Sequence, residues 1–234
     1  MRTLFIIILF LTAHFVHAQN VEWAMYGENL MENNTNSIIA TDSENNVYVL
    51  GESLSQIALY TSIIKDFEFF GSGIYVFKMS PEGEILWVQT INFYYYDSPW
   101  SIAVDNDDNL FVAGTFAHHL VIGENSDYIQ LNTGNMSRDG FIAKFSPQGT
   151  PLAAHYLGSI GQDKITAISI AEDNDIILGG NFKGEVNFGL KENPEIIDCD
   201  GAMVVKYSSD FDFISAQPVA YKSITQIKSS DDGH

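Results

Sequence analysis

Only one cysteine, Cys199, occurs in the 234 residues, so no disulfide can form within the chain. Two readings of it stand: a small buried apolar side chain, or a reactive or intermolecular thiol. Basic residues are equally scarce. Eleven Lys and Arg face thirty Asp and Glu, for a formal charge of −19. Phosphate binding needs clustered Lys and Arg, so nucleic acid is excluded as a partner. Adhesion to anionic lipid is disfavoured for the same reason. Such a surface suits a protein that stays in solution or one that collects cations. Helical periodicity is missing beyond the first residues, and no apolar run after Val16 is long enough to cross a bilayer. The Gly-x-Ser-x-Gly elbow of hydrolases does not occur. Gly158-Ser-Ile-Gly161 is not followed by the Lys of a phosphate loop. His118 and His119 are adjacent, so on a strand they point to opposite faces and do not share a metal. His155 stands alone. No metal, cofactor or catalytic residue is expected from these patterns.

The N-terminus reads as a secretory leader. Arg2 is the charged region, Leu4 to Val16 the apolar core, and Val16-His17-Ala18 the small-residue cleavage site. Residues 1–18 are therefore expected to be removed, leaving an exported or cell-surface chain from Gln19 with no membrane span. The apolar core is too short to cross roughly 30 Å of hydrocarbon.

What is present is a repeat. Ser101-Ile-Ala-Val-Asp-Asn-Asp-Asp-Asn-Leu-Phe-Val-Ala-Gly114 is an apolar strand, an acidic turn and a second apolar strand. It recurs as Ser37 to Gly51 and as Ala167 to Gly180, with Gly51, Gly114 and Gly180 spaced by 63 and 66 residues. A third strand recurs as Ile74–Met79, Phe141–Phe145 and Ala202–Tyr207, with Lys78, Lys144 and Lys206 at one position. Ser80-Pro-Glu-Gly83 and Ser146-Pro-Gln-Gly149 carry type I turn chemistry. The third copy, Ser208-Ser-Asp-Phe211, has lost both Pro and Gly. Fourth strands follow, as at Pro151–Leu157.

Many of these strands are apolar without alternation, as in Val47-Tyr-Val-Leu50, which requires burial on both faces. Four-stranded antiparallel sheets stacked face to face around an axis meet that requirement. The expected fold is all-β, with β-propeller blades. Units run over 37–99, 100–164 and 165–222. An orphan fourth strand over 21–27 precedes them and a stub over 223–234 follows. Residues 19–234 then form about three blades in an open, incomplete arc, whose bare terminal blades predict self-association.

These residues resemble the bacterial seven-bladed β-propeller repeat (SBBP) family. The resemblance lies in Asp105, Asn109, Phe111 and Gly114, in Phe188-Gly189, in Asp139-Gly-Phe141 with Lys144 and Phe145, and in Gly83 with Trp87. It covers nearly all of 21–234. The closing Trp, present at Trp23 and Trp87, is Ala153 in the next unit. The resemblance implies an exported or surface repeat protein without catalytic residues. Glu82-Gly-Glu-Ile-Leu-Trp87 also resembles the segment whose Trp locks neighbouring blades in quinoprotein dehydrogenases, and supports packing here.

Two constellations remain as candidate sites. Tyr94, Tyr95, Tyr96, Asp97 and Trp100 place rings with polar handles on the loop face beside Phe116 to His119. They form either a platform for a glycan or protein partner, or packing between units. Asp105, Asp107 and Asn109 have the first three ligand positions of a calcium loop, but Leu110 stands where its Gly belongs and Phe116 where its Glu does. Turn residues bonding their own backbone are the plainer reading. The function expected is non-enzymatic: a scaffold or binding module for a protein or glycan. The rival readings are a remnant of a propeller lyase, glycosidase or quinoprotein-like enzyme, and a truncated product without independent function.

Overall fold

The computed structural model describes residues 25–28, 38–53, 57–61, 64–69, 73–93, 98–123, 128–133, 137–190, 192–220 and 222–229. The leader (1–18) lies outside these residues. Among them there is no helix. β1 (Met25–Glu28) comes first. The first unit holds β2 (Ile38–Thr41), β3 (Val47–Ser53), β4 (Ile57–Thr61), β5 (Ile64–Phe69), β6 (Gly73–Met79) and β7 (Ile85–Phe93). The second holds β8 (Ser98–Val104), β9 (Leu110–Ala117), β10 (His119–Ile122), β11 (Ile129–Asn132), β12 (Arg138–Phe145) and β13 (Pro151–Leu157). The third holds β14 (Lys164–Ile170), β15 (Ile176–Asn187), β16 (Ile196–Tyr207) and β17 (Phe213–Pro218).

Turn chemistry fixes where these strands stop. Asp42 Oδ1 accepts the backbone N–H groups of Glu44 and Asn46, and Asp105 Oδ1 those of Asp107 and Asn109. Each turn closes on a residue with left-handed backbone: Asn45 (φ 63°), Asp108 (φ 61°) and Asn174 (φ 64°). Asn and Asp tolerate that conformation better than other side chains. The matching backbone bonds, Asn45 N to Asp42 O and Asn174 N to Ala171 O, set Ala171 opposite Asp42 and Asp105.

The turns between third and fourth strands repeat as strictly. The hydroxyls of Ser80, Ser146 and Ser208 each accept two backbone N–H groups, two and four residues on. Loss of Pro and Gly at Ser209 and Phe211 therefore leaves this turn intact. Phe211 adopts φ 68°, where Gly83 and Gly149 have 88° and 85°.

All strand pairs are antiparallel. The sheets run β1-β4-β5, β11-β10-β7-β6-β3-β2, β13-β12-β9-β8 and β14-β15-β16-β17, and none closes on itself. Each unit lays its first to fourth strands side by side in sequence order. β9 shows why its sequence lacks alternation: it is buried along its whole length. Leu110 and Val112 enter one core with Tyr48, Leu50 and Val76 of the first unit. Phe111 and Ala113 enter another with Ile165, Leu178 and Val205 of the third. The second sheet is sandwiched, as its continuous apolar run requires.

The long connection between second and third strands is not a plain loop. In the second unit it forms the hairpin β10–β11, which leaves its own sheet and pairs with β7 of the preceding one, Val121 against Asn92. In the first unit the hairpin β4–β5 pairs with β1, so the orphan strand receives a strand as β7 does. In the third unit the extended β15 and β16 reach back, and Asn187 bridges to Gly158 just past β13. A left-handed residue lies in two of these extensions, His118 (φ 68°) in the second unit and Gly184 (φ 89°) in the third. At the other end, residues 223–229 are not a regular strand but lie against β14. Ser229 bonds Ser169 and the Ile170 carbonyl, and Ile224 and Ile227 pack on Gly179.

Candidate functional site

Most polar side chains that the repeat pattern marks are occupied by joining one sheet to the next. The Lys78 amine lies 2.8 Å from Asp42 and donates to the Pro147 carbonyl of the second unit (3.3 Å). Burial works against this charge, but bonding to Asp42 and Tyr48 outweighs it and raises the pKa of Lys78. Burial likewise opposes the Asp42 carboxylate, while Lys78 and Asn46 hold its pKa below the usual value. Lys144 sits 3.7 Å from Asp105 and donates to the Ser209 carbonyl of the third unit. Lys206 pairs with Asp175 (2.6 Å) and Asp173 (3.8 Å) in a more exposed setting. The acidic turns also link to one another. Ser43 N–H and hydroxyl bond Asp108, and Asn106 N–H bonds Asn174 Oδ1.

The Trp segment locks the first interface. Trp87 Nε1 donates to the Pro147 carbonyl (3.0 Å), its ring meets Tyr48 edge-on, and a Cβ on Gly149 would stand 2.7 Å from it. In the second interface Ala153 replaces the Trp and Phe211 replaces the Gly. Phe211 is buried, meets Phe111 edge-on, and shares its core with Ala153. The bulky ring has moved from one side of the joint to the other.

A cavity of about 330 Å³ opens where the extensions converge on β13. Leu131 contributes from the second unit's hairpin, Ala154, His155 and Tyr156 from β13 with Gly158 just past it, and Asn187, Gly189, Leu190 and Glu192 from the third unit. His155 is buried and faces the Phe188 carbonyl at 3.4 Å, which also accepts the Tyr207 hydroxyl. Burial lowers the His155 pKa against that carbonyl's opposing pull, so the ring is neutral near pH 7. Asn187 Oδ1 is held by Gly189 N–H and Glu195 N–H. Gly189 is required by close approach, since a Cβ there would meet the Asn193 carbonyl at 2.2 Å. This gives the Phe188-Gly189 pair its physical reason: a buried ring followed by a residue that must lack a side chain.

Behind Gly158 lie two buried acids. Asp163 accepts Ser159 N–H, Ser159 hydroxyl and Lys183 N–H. Among the described residues, Asp139 accepts the Ser137 hydroxyl. Burial, reinforced by the nearby Asp163, pushes Asp139 up to about 7. Burial also raises Asp163. Sequence reasoning passed over this pair and the cavity. Asp139-Gly140 was legible as a strand entry, but its approach to Gly158 depends on the sheet.

Of the predicted site residues, Tyr94, Tyr95, Tyr96 and Asp97 lie outside the described residues, as does the side chain of Trp100. Asp105 is buried, and its carboxylate accepts the Asn109 amide as well as two backbone N–H groups. Asp107 is exposed and bonds Asn174. No group of three or more His, Cys, Asp or Glu able to hold a metal occurs among the described residues. His118 forms the bend and His119 begins β10, beside Gln130. Cys199 is buried, and burial raises its thiol pKa. No helix among the described residues is long and apolar enough to cross a membrane.

No family model matches the chain. It is similar to an uncharacterized WD repeat-containing protein of Acanthamoeba polyphaga mimivirus, with 27% identity over 171 residues. The match covers 63% of this chain and 12% of that relative, so the chain spans a small fraction of the protein it resembles. The likeness is to a repeat protein, in keeping with antiparallel sheets that recur along an all-β chain.

Proposed function

We propose that the chain is an exported, non-enzymatic binding module: an arc of propeller-type blades, related in pattern to the SBBP repeats, that presents its loop face to a protein or glycan partner. The observation that carries this reading is the joint between sheets. The same Lys clasp occurs at both joints, from Lys78 to Pro147 and from Lys144 to Ser209, one repeat apart. Stacking four-stranded sheets in series is how propellers use such repeats, and WD repeats build blades of this kind. The marked polar residues serve the stack, so the loops and the cavity beside His155 and Tyr156 are what remain for recognition. A cavity of this size falls at the lower end for small-ligand sites.

A glycan array with wild type, Trp100→Ala and Tyr156→Ala tests the recognition. Binding lost in either variant supports the reading. Equal binding by all three, or turnover of a polysaccharide by the purified chain, overturns it. N-terminal sequencing of the protein from its native host tests export. Gln19 as first residue supports it, and a retained Met1 overturns it.

A further inference from the structure

The fourth strands carry a second recognition surface. None of β7, β13 or β17 contains a charged residue, in a chain with forty-one of them. Their second residues, Leu86, Leu152 and Ile214, occupy one repeat position and are 49%, 50% and 48% exposed. β13 and β17 end their sheets, and β10 covers only Ile91–Phe93 of β7. Among the described residues, no strand pairs with the outer edges of Ile85–Thr90, of β13 or of β17. Folded proteins ordinarily blunt such edges with charge, proline or bulges. Here Pro151 and Pro218 stand only at strand ends, and the bulges lie at the strand starts, at Leu86, Leu152 and Ile214, leaving the remainder of each edge regular.

The molecule itself uses fourth strands as acceptors. β4 adds to β1, and β10 adds to β7. Exposed acids precede two of the three strands, Glu82 and Glu84 at the start of β7 and Asp210 and Asp212 at the start of β17, while Gln148 and Thr150 precede β13. An uncharged apolar edge between acidic turns, on a chain of charge −19, is complementary to one kind of occupant. We propose that these edges take up an extended segment of another protein, alternating apolar and basic residues, by strand addition. Main-chain bonds to one open edge hold each segment, its apolar side chains cover the Leu86, Leu152 or Ile214 position of that edge, and its basic residues meet the neighbouring acids. This deepens the binding-module reading by assigning a partner class and surface, and rests on it.

The test uses the full chain and a fluorescein-labelled peptide of alternating lysine and valine, read by fluorescence polarisation. Three competitors separate the causes: the same peptide N-methylated at every valine, a glutamate–valine peptide, and the protein variant Leu86→Lys/Leu152→Lys/Ile214→Lys. All three substitutions are at exposed positions, and circular dichroism confirms the variant's fold. The expected result is saturable binding that weakens about tenfold or more with N-methylation and in the triple variant, and is absent for the glutamate peptide. Equal binding of the N-methylated peptide means simple charge attraction and overturns the proposal, as does equal binding by the triple variant or no binding at all. Light scattering that shows dimers abolished by the triple variant, but not displaced by peptide, gives the edge to a second copy and also overturns it. Failure here leaves the glycan-array result untouched, whereas turnover of a substrate would end the binding-module reading whatever the peptide shows.

Discussion

The two joints between stacked sheets solve one packing problem in opposite ways. In the first, a large ring on the fourth strand, Trp87, lies over a residue that must be Gly, Gly149. In the second, the strand position is Ala153 and the turn position is Phe211, whose ring is buried among the residues of both sheets. The total volume at the joint is conserved while its donor changes. Cores tolerate such exchange when volume and patterning hold. The lesson is that the missing Trp of the second unit and the missing Gly of the third are one coordinated substitution across the joint. Its cost is a non-glycine residue at φ 68°.

The largest effects should come from removing the ring on either side. Phe211→Ala should cost about 3–5 kcal/mol, the usual range for a buried Phe. Gly149→Phe with Trp87 retained should be similarly damaging, because backbone and ring cannot both be accommodated. Trp87→Ala/Gly149→Phe should then recover stability relative to Gly149→Phe, with a coupling energy of about 0.5–3 kcal/mol from urea denaturation. Additive losses would show that the two joints are not interchangeable.

The lysine ladder sharpens the same contrast. Lys78 and its partner Asp42 have side chains 7% and 1% exposed, whereas Lys206 is 36% and Asp173 64% exposed. Truncating one member of a buried pair strands the other charge, so Lys78→Met should cost about 3 kcal/mol. Lys206→Met should cost less than about 1 kcal/mol, since exposed pairs are screened. Equal losses in thermal melts would mean the third clasp carries load that its exposure does not suggest.

Much of this was legible in the chain, and the rest was not for definable reasons. The acidic turns, the Ser-capped turns and the four strands per unit follow from local chemistry. Ile142 and Ala143 lie in the uninterrupted apolar run of the third strand and are buried. Asn106 and Asp107 lie in the acidic turn and are exposed, while Asp108 is partly covered because it receives Ser43. The repeated lysines were visible, but the role of Lys78 and Lys144 was hidden, since these two reach carbonyls more than sixty residues away. The hairpin β10–β11 was read as a connection because its strands are short and pair with another unit. The cavity and the Asp139–Asp163 pair are products of that same long-range pairing.

The buried pair gives a smaller, pH-dependent effect that belongs to the second joint alone. Asp139 lies on β12 and Asp163 just ahead of β14. The folded pKa of Asp139, about 7, is above the ordinary carboxyl value of 3.8. The unfolded chain therefore releases this proton first as pH rises, and stability is lost from about pH 4 up through 7. Melting temperature should fall by a few degrees between pH 5 and pH 8. Asp139→Asn should flatten that dependence and melt higher than wild type at pH 8. A variant as pH-sensitive as wild type would assign the titration elsewhere.

The smallest effect separates the two readings of the acidic turn. Asp105 is engaged by two backbone N–H groups and the Asn109 amide, so its carboxylate already has the work of organising the turn. Asp107 projects from the turn and reaches only the exposed Asn174 amide of the next unit, at 3.3 Å. If the turn is structural, Asp107→Ala should shift stability by no more than about 0.5 kcal/mol, as at other exposed positions. Calcium at millimolar concentration should leave the melting temperature of both proteins alike. A calcium-dependent rise in wild type that disappears in Asp107→Ala would require Asp105, Asp107 and Asn109 to turn their oxygens from the backbone to an ion. The two joints would then differ in metal content as well as in packing, because the third turn places Ala171 where the other two have Asp.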